Sequence, residues 1–320
     1  MSRWSMFVSL ALPEYVKADL LSEFDATFNE TGSLLSQDAL IERAAGKDAL
    51  MVYVADKVDR KCIARLPASI KAIATYSVGY DHIDLKAAKD RGIAVFHTPD
   101  VLTNTVAEAT ILLILSAARR VTEGAALIRS GQWRGWTAVD FNGIELTGKT
   151  LGIYGMGRIG KAIAQRGRGL DMKIAYSGAS RLPPDAEQGA TYFKDPEDLL
   201  KETDVLVLAC ASTPETRQFL NEDRIEMLRP NAIVANISRG DIVVDEALIA
   251  ALKRGRIHGA GLDVFNGEPA IDPRYRELPN AFILPHLGSS TIEARRGMGQ
   301  ILINGLKAAA AGGTTKNRLV

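Results

Sequence analysis

Short apolar runs recur along this chain, separated by segments whose apolar residues are spaced as on one face of a helix. In the N-terminal third the strand-like runs are Phe7–Leu10, Ala49–Val54, Lys71–Tyr76 and Ile93–His97. Between them, Pro13–Phe24 puts Val16, Leu20, Leu21 and Phe24 on one helical face, and Ile83–Arg91 stops at Gly92 as a helix C-terminus does. A second series follows: Thr150–Tyr154, Met172–Ser177, Asp204–Cys210, Ala232–Ser238, Gly259–Val264 and Ala281–His286. Several of these runs are almost unbroken in apolar residues, the pattern of parallel strands covered on both faces. Short helical stretches such as Pro196–Thr203 and Asp245–Arg254 separate them. Strand–helix alternation of this kind predicts an α/β protein with a doubly wound parallel sheet, here twice over.

Two segments depart from the alternation. Ala109–Ala118 is the longest largely apolar stretch, yet it is about half the ~20 residues a membrane span needs, and Arg119-Arg120 close it. It reads as a buried helix. Val121–Gly148 contains Trp133, Trp136 and several glycines without a clear period. An irregular segment of that length is usually functional or interfacial, with a loop packed on its own domain as the plainer alternative.

Length and composition narrow the class. At roughly 150 residues per domain, 320 residues suggest two domains. Charged residues make up 24% and hydrophobic ones 47%, which excludes a disordered or collagen-like chain. The net charge of +1 gives no reason to expect a nucleic-acid or membrane partner. Two cysteines, Cys62 and Cys210, are too few for a disulfide framework, so a reducing cytoplasm is the expected compartment. The run Met6–Leu12 is broken by Ser9 and lacks a small-residue cleavage site, so Met1–Pro13 reads as a first strand and not as a signal peptide. The four histidines, His82, His97, His258 and His286, are few enough to weigh singly as acid–base groups. No metal is assigned.

The best-defined motif is Thr150-Leu-Gly-Ile-Tyr-Gly155-Met-Gly157-Arg-Ile-Gly160. It follows an apolar strand and opens a helix whose Ile159, Ala162, Ile163 and Leu170 share a face, the context that gives G-x-G-x-x-G its meaning. Gly155 suits the tight turn, Gly157 a close backbone approach to a pyrophosphate, and Gly160 close helix–sheet packing, with the helix N-terminus supplying N–H donors. A dinucleotide is the expected ligand. At the end of the next strand, where an NAD site places a carboxylate on the ribose, Ser177 stands instead, followed by Ser180 and Arg181. Hydroxyls and a guanidinium suit a 2′-phosphate that a carboxylate would repel, so NADP(H) is expected over NAD(H), unless Arg181 is simply a solvated loop residue.

Three charged groups fall at or just past strand ends downstream of that motif: Arg239, Glu268 and His286. Each alone has an ordinary explanation, as a turn arginine, a solvated glutamate before Pro269 or a satisfied core histidine. Together they offer a carboxylate binder, a partner for an imidazole and a proton donor, the set needed to reduce a 2-oxo acid. Of the other histidines, His82 is the reserve candidate.

At this point the spacing resembles a family, the D-isomer-specific 2-hydroxyacid dehydrogenases, and within it the glyoxylate/hydroxypyruvate reductase branch. The likeness runs nearly end to end and rests on Ser77-Val-Gly-Tyr-Asp81, the glycine motif, Asn236-Ile-Ser-Arg-Gly-Asp241, Gly261-Leu-Asp-Val-Phe265 with Glu268-Pro269, and Leu284-Pro-His-Leu-Gly-Ser-Ser290. The resemblance implies a flavodoxin-like substrate domain joined to a Rossmann dinucleotide-binding domain. It implies Arg239, Glu268 and His286 as the catalytic residues, and Val78 and Gly79 with Arg239 as binders of the substrate carboxylate. It places Thr105 and Asp263 at the nicotinamide end, and Arg158 and Ile159 just after the pyrophosphate turn. Ala211 stands where relatives often carry proline near the adenine pocket, and Glu268 argues against the related formate dehydrogenases, which carry an amide there.

The resulting expectation is NADPH-dependent reduction of small 2-oxo acids such as glyoxylate and hydroxypyruvate. The substrate domain would be residues 1–100 and 288–320, and the dinucleotide domain residues 101–287. A homodimer is expected by resemblance, with Val121–Gly148 as the exchanged arm. Two other readings stay open: an NAD-linked dehydrogenase of a larger 2-hydroxy acid, and a dinucleotide-sensing protein like the corepressors that reuse this scaffold.

Overall fold

A computed structural model describes residues 3–136 and 138–320; Met1, Ser2 and Thr137, at the edge of the first expected strand and inside Val121–Gly148, lie outside the described residues. The chain divides into two compact units, one comprising residues up to Leu102 together with Ser290–Val320, the other Thr103–Ser289.

In the first unit the strands are β1 (Ser5–Val8), β2 (Asp25–Phe28), β3 (Ala49–Val52), β4 (Ala72–Thr75) and β5 (Ala94–Phe96), in the order β2-β1-β3-β4-β5. All pair in parallel, and this is the flavodoxin-like doubly wound order. β3 and β4 are buried along their whole length, which is why their sequences carry no charged residue. The C-terminal helix Ile292–Ala310 returns to pack on Glu14–Glu23, and the tail beyond it donates Leu319 N–H to Val95 O at 2.8 Å.

The second unit holds β6 (Thr150–Tyr154), β7 (Lys173–Ser177), β8 (Thr191–Tyr192), β9 (Val205–Leu208), β10 (Ile233–Asn236), β11 (Gly259–Leu262) and β12 (Ala281–Ile283). The order is β12-β11-β10-β9-β6-β7-β8, again parallel throughout. The strand order reverses between β6 and β9, the place where sheets of this type bind ligands beyond their C-terminal strand ends. Leu206, Val207, Ile233 and Val234 are fully buried there, each contributing roughly 1.5–3 kcal/mol of hydrophobic stabilisation.

Two strands go beyond the expected set, and one expectation is corrected. β2 is an edge strand of alternating exposure, and β8 is a two-residue edge strand; neither is apolar enough to stand out in sequence. Val121–Gly148 is not irregular throughout: Val121–Arg129 is a helix. None of its residues is fully buried within the chain. Ala109–Ala118 does lie in a helix, Thr103–Ala118, with Leu113 and Ile114 fully buried, and no helix among the described residues is long and apolar enough to cross a membrane.

Candidate active site

β6 delivers the glycine turn. Gly155 has φ +110°, and a Cβ on it would lie 2.5 Å from the Cys210 backbone nitrogen, so only glycine allows this turn to press against the end of β9. Its N–H donates to Ser177 O at 2.8 Å, tying the turn to β7. Gly160 lies 2.2 Å, at its Cβ position, from Gly155 O, which brings the helix Arg158–Gly169 close to the turn. Gly157, the residue that caps this helix, meets nothing within 4 Å. The cradle is therefore backbone-lined and open above Gly157, at a helix N-terminus, and it fits a dinucleotide pyrophosphate. Arg158 is exposed and Ile159 packs partly into the core below. Thr105 sits in the first turns of Thr103–Ala118 in the same unit.

At the ribose edge, Ser177 ends β7 and is buried, while Ser180 and Arg181 are exposed. Arg181 is solvent-exposed but paired. Its Nε and Nη2 donate to the two carboxylate oxygens of Glu187 at 2.8 and 3.1 Å, and the buried Tyr176 hydroxyl donates to the same Glu187 at 2.7 Å. These hydrogen bonds hold the Glu187 carboxyl below its ordinary range. Nothing near Arg181 in sequence signals this partner, because Tyr176 and Glu187 reach it across a bend.

The charged trio is carried by β10, β11 and β12. Arg239 follows β10 in extended backbone; its Nη1 donates to Ser238 O at 2.8 Å, and Asn236 Nδ2 donates to the Arg239 carbonyl at 2.9 Å. Glu268 accepts from Phe265 N–H at 2.6 Å through one oxygen and contacts His286 Nδ1 at 2.7 Å through the other. Burial works to raise the Glu268 carboxyl, but the His286 and Phe265 hydrogen bonds and the charges of His286 and Arg239 outweigh it and hold it below its ordinary range. A carboxylate only accepts, so His286 Nδ1 carries the hydrogen and Nε2 is the nitrogen left for substrate.

His286 itself has φ +54°, a left-handed conformation uncommon for a side-chain-bearing residue. Asp263 holds it there. His286 N–H donates to Asp263 O at 2.9 Å, and Leu287 and Gly288 N–H donate to the Asp263 carboxylate at 2.6 and 2.7 Å. Burial, opposed by these donors, pushes the Asp263 carboxyl upward. The sequence pattern gave no sign of this bracing role. In the first unit, Val78 and Gly79 lie in the loop after β4. His82 is turned into that loop, its Nε2 2.9 Å from Thr75 Oγ1.

Residues 111–288 match the family model described as "D-isomer specific 2-hydroxyacid dehydrogenase, NAD binding domain". Along the whole chain, a glycerate dehydrogenase from Hyphomicrobium methylovorum is 42% identical over 300 residues, 93% of each chain. The chain belongs to the D-isomer specific 2-hydroxyacid dehydrogenases. A glyoxylate reductase from Thermococcus litoralis is 45% identical over 277 residues, 85% of this chain and 83% of its own. The crystal structure of an NADPH-dependent glyoxylate/hydroxypyruvate reductase from Sinorhizobium meliloti, solved with NADP and malonate, superposes with a TM-score of 0.88 at 30% identity, covering 100% of this chain and 97% of that one. As a 2-hydroxyacid dehydrogenase the protein is an oxidoreductase, and its second unit carries the family's nucleotide-binding domain.

Proposed function

We propose that the protein reduces small 2-oxo acids, glyoxylate and hydroxypyruvate, to the 2-hydroxy acids with NADPH, and that Arg239, Glu268 and His286 do the chemistry. The observation that carries this reading is the 2.7 Å contact between His286 Nδ1 and Glu268, three to four strands along the same sheet from the open glycine cradle. The relatives named glyoxylate reductase and glycerate dehydrogenase support the same substrate class.

When bound, the nicotinamide dinucleotide supplies the hydride that the substrate's carbonyl carbon receives. Gly155, Gly157, Arg158, Ile159 and Gly160 hold its pyrophosphate, Ser177, Ser180 and Arg181 its ribose phosphate, and Thr105 and Asp263 its nicotinamide end. Arg239 presents a planar fork to the carboxylate and the carbonyl oxygen, and the Val78 and Gly79 amides take the carboxylate's remaining lone pairs. His286 Nε2 delivers the proton to the carbonyl oxygen as the C–O bond becomes single. Glu268 keeps the ring oriented and its Nδ1 protonated. The unit containing Val78 is the substrate domain, and Thr103–Ser289 the dinucleotide domain.

One observation favours a weaker cofactor bias. Arg181 already spends two donors on Glu187, so part of its charge is committed before a 2′-phosphate arrives. A homodimer fits the exposed side chains of Ile128, Trp136 and Val139 in the Val121–Gly148 segment, and sedimentation at micromolar concentration would show a monomer if that assignment is wrong. Cys62 and Cys210 are both free, with burial pushing their thiols up to about 11 and about 12, which suits a cytoplasmic protein that keeps inert thiols.

The test of the function is a kcat/KM panel of glyoxylate, hydroxypyruvate, pyruvate and phenylpyruvate with NADPH and with NADH. Highest values for glyoxylate and hydroxypyruvate with NADPH are expected. A preference for phenylpyruvate with NADH would replace this reading with that of an NAD-linked dehydrogenase of a larger acid.

A further inference from the structure

The loop after β4 is held by side chains on two of its carbonyls. Ser77 Oγ donates to Gly79 O at 2.6 Å and lies 2.6 Å from Thr75 Oγ1, which in turn meets His82 Nε2. On the other side, His97 Nδ1 lies 3.0 Å from Val78 O. A carbonyl only accepts, so His97 Nδ1 is the donor.

The Val78 carbonyl and the Gly79 N–H belong to one peptide unit. That unit is planar and trans, so its C=O and N–H point in opposite directions. Fixing the carbonyl on His97 therefore fixes the aim of the Gly79 N–H, and the Ser77 bond to the next carbonyl stops the following peptide from turning. His97 is itself braced. Its backbone N–H donates to Asn317 O at 3.1 Å, and the buried Asn317 returns a bond from Nδ2 to His97 O at 3.0 Å. Thr315 Oγ1 donates to Asn317 Oδ1 at 2.5 Å, and the edge of the His97 ring packs against Tyr80 with centroids 5.5 Å apart. The neighbouring Thr98 N–H donates to Ser77 O at 3.0 Å.

We propose that His97 is a positioning residue, braced by the C-terminal segment around Asn317, that aims the Gly79 amide at the substrate carboxylate. It touches no reacting atom. Its contribution is to binding that substrate and transition state share, so its loss raises KM and leaves kcat nearly unchanged. This inference rests on the reading that the Val78 and Gly79 amides bind the carboxylate.

Three variants separate the donor from the ring. His97→Ala removes both, His97→Phe keeps the ring against Tyr80 without the donor, and His97→Asn keeps an N–H near the position of Nδ1. The readouts are KM and kcat for glyoxylate, KM for NADPH, and the inhibition constant of oxalate, a dicarboxylate mimic of a 2-oxo acid. Expected for His97→Ala and His97→Phe is a rise of about tenfold in both the glyoxylate KM and the oxalate constant, one hydrogen bond's worth. The NADPH KM and kcat should stay within about threefold, and His97→Asn should recover most of the loss. If His97→Ala does not fold, the comparison of Phe with Asn decides alone. A His97→Phe enzyme with unchanged glyoxylate and oxalate constants, or a His97→Asn enzyme as impaired as His97→Phe, overturns the clamp. Oxalate that fails to compete with glyoxylate in the wild-type enzyme overturns the carboxylate reading itself, and the clamp with it.

Discussion

The two loops proposed as anion sites are built by opposite means. After β6, the turn works because side chains are missing: Gly155 lets the backbone pass the end of β9, and Gly157 leaves open space above a helix N-terminus. After β4, the loop works because side chains are present: Ser77, Thr75, His82 and His97 tie down its carbonyls and hydroxyls. A helix that starts at the turn already aligns its amides and needs only access. A loop with no helix behind it must have each peptide oriented from outside. One sequence class, glycine at fixed spacing, announces the first kind of site, whereas the second kind leaves only scattered polar residues.

Substitutions in the two loops should therefore fail differently. The largest effect is expected at Gly155: Gly155→Val places a branched side chain where even a Cβ lies 2.5 Å from Cys210 N, in a backbone with φ +110°. Overpacking and strain together predict a stability loss of about 3 kcal/mol, read as a lower denaturation midpoint, with dinucleotide binding abolished. Gly157→Ala sharpens the contrast. Its Cβ meets nothing in the protein, so the midpoint should hold while the dissociation constant for NADPH rises by about tenfold or more. A Gly157→Ala protein that binds NADPH normally would show that the cradle is not where the pyrophosphate sits.

Smaller effects are expected at the ribose edge. Arg181→Ala and Ser177→Asp should each lower the ratio of kcat/KM for NADPH to that for NADH, by several-fold for the arginine because Glu187 already shares its charge. If neither variant moves the ratio, the NADPH assignment fails. The smallest effect concerns acid stability. Glu268 has a lowered pKa in the folded protein, so its ionised form contributes stability that is fully present above the ordinary carboxylate pKa of about 4.3. That contribution is lost as pH falls from there through the depressed value. Glu268→Gln should flatten the stability–pH curve in that acidic window by less than about 1 kcal/mol and leave its slope near neutrality unchanged.

Much of the architecture was legible because both sheets are parallel and covered on both faces. β6, β9 and β10 are continuous apolar runs, and such runs have few other interpretations. The edge strands β2 and β8 were not, since an edge strand needs only one dry face and few residues. The helix Val121–Arg129 did not stand out because no side chain caps its start and Gly124 lies inside it. In the candidate site, the positions of Arg239, Glu268 and His286 at strand ends could be read directly. Their bracing could not: Asp263 meets Leu287 and Gly288 only once β11 and β12 lie side by side, and Glu187 finds Arg181 only across the bend after β7. Hydrogen-bond partners set by tertiary register have no signature in spacing.

The most direct measurement is single-turnover reduction of glyoxylate by His286→Gln with NADPH bound, beside the wild-type enzyme. Glutamine can still hydrogen-bond a carbonyl oxygen but cannot hand over a proton, so binding should persist while the rate of NADPH oxidation falls by about 10²–10⁴-fold. A variant that oxidises NADPH with glyoxylate at nearly the wild-type rate would contradict the assignment of His286 as proton donor, and with it the role given to the Glu268 pair.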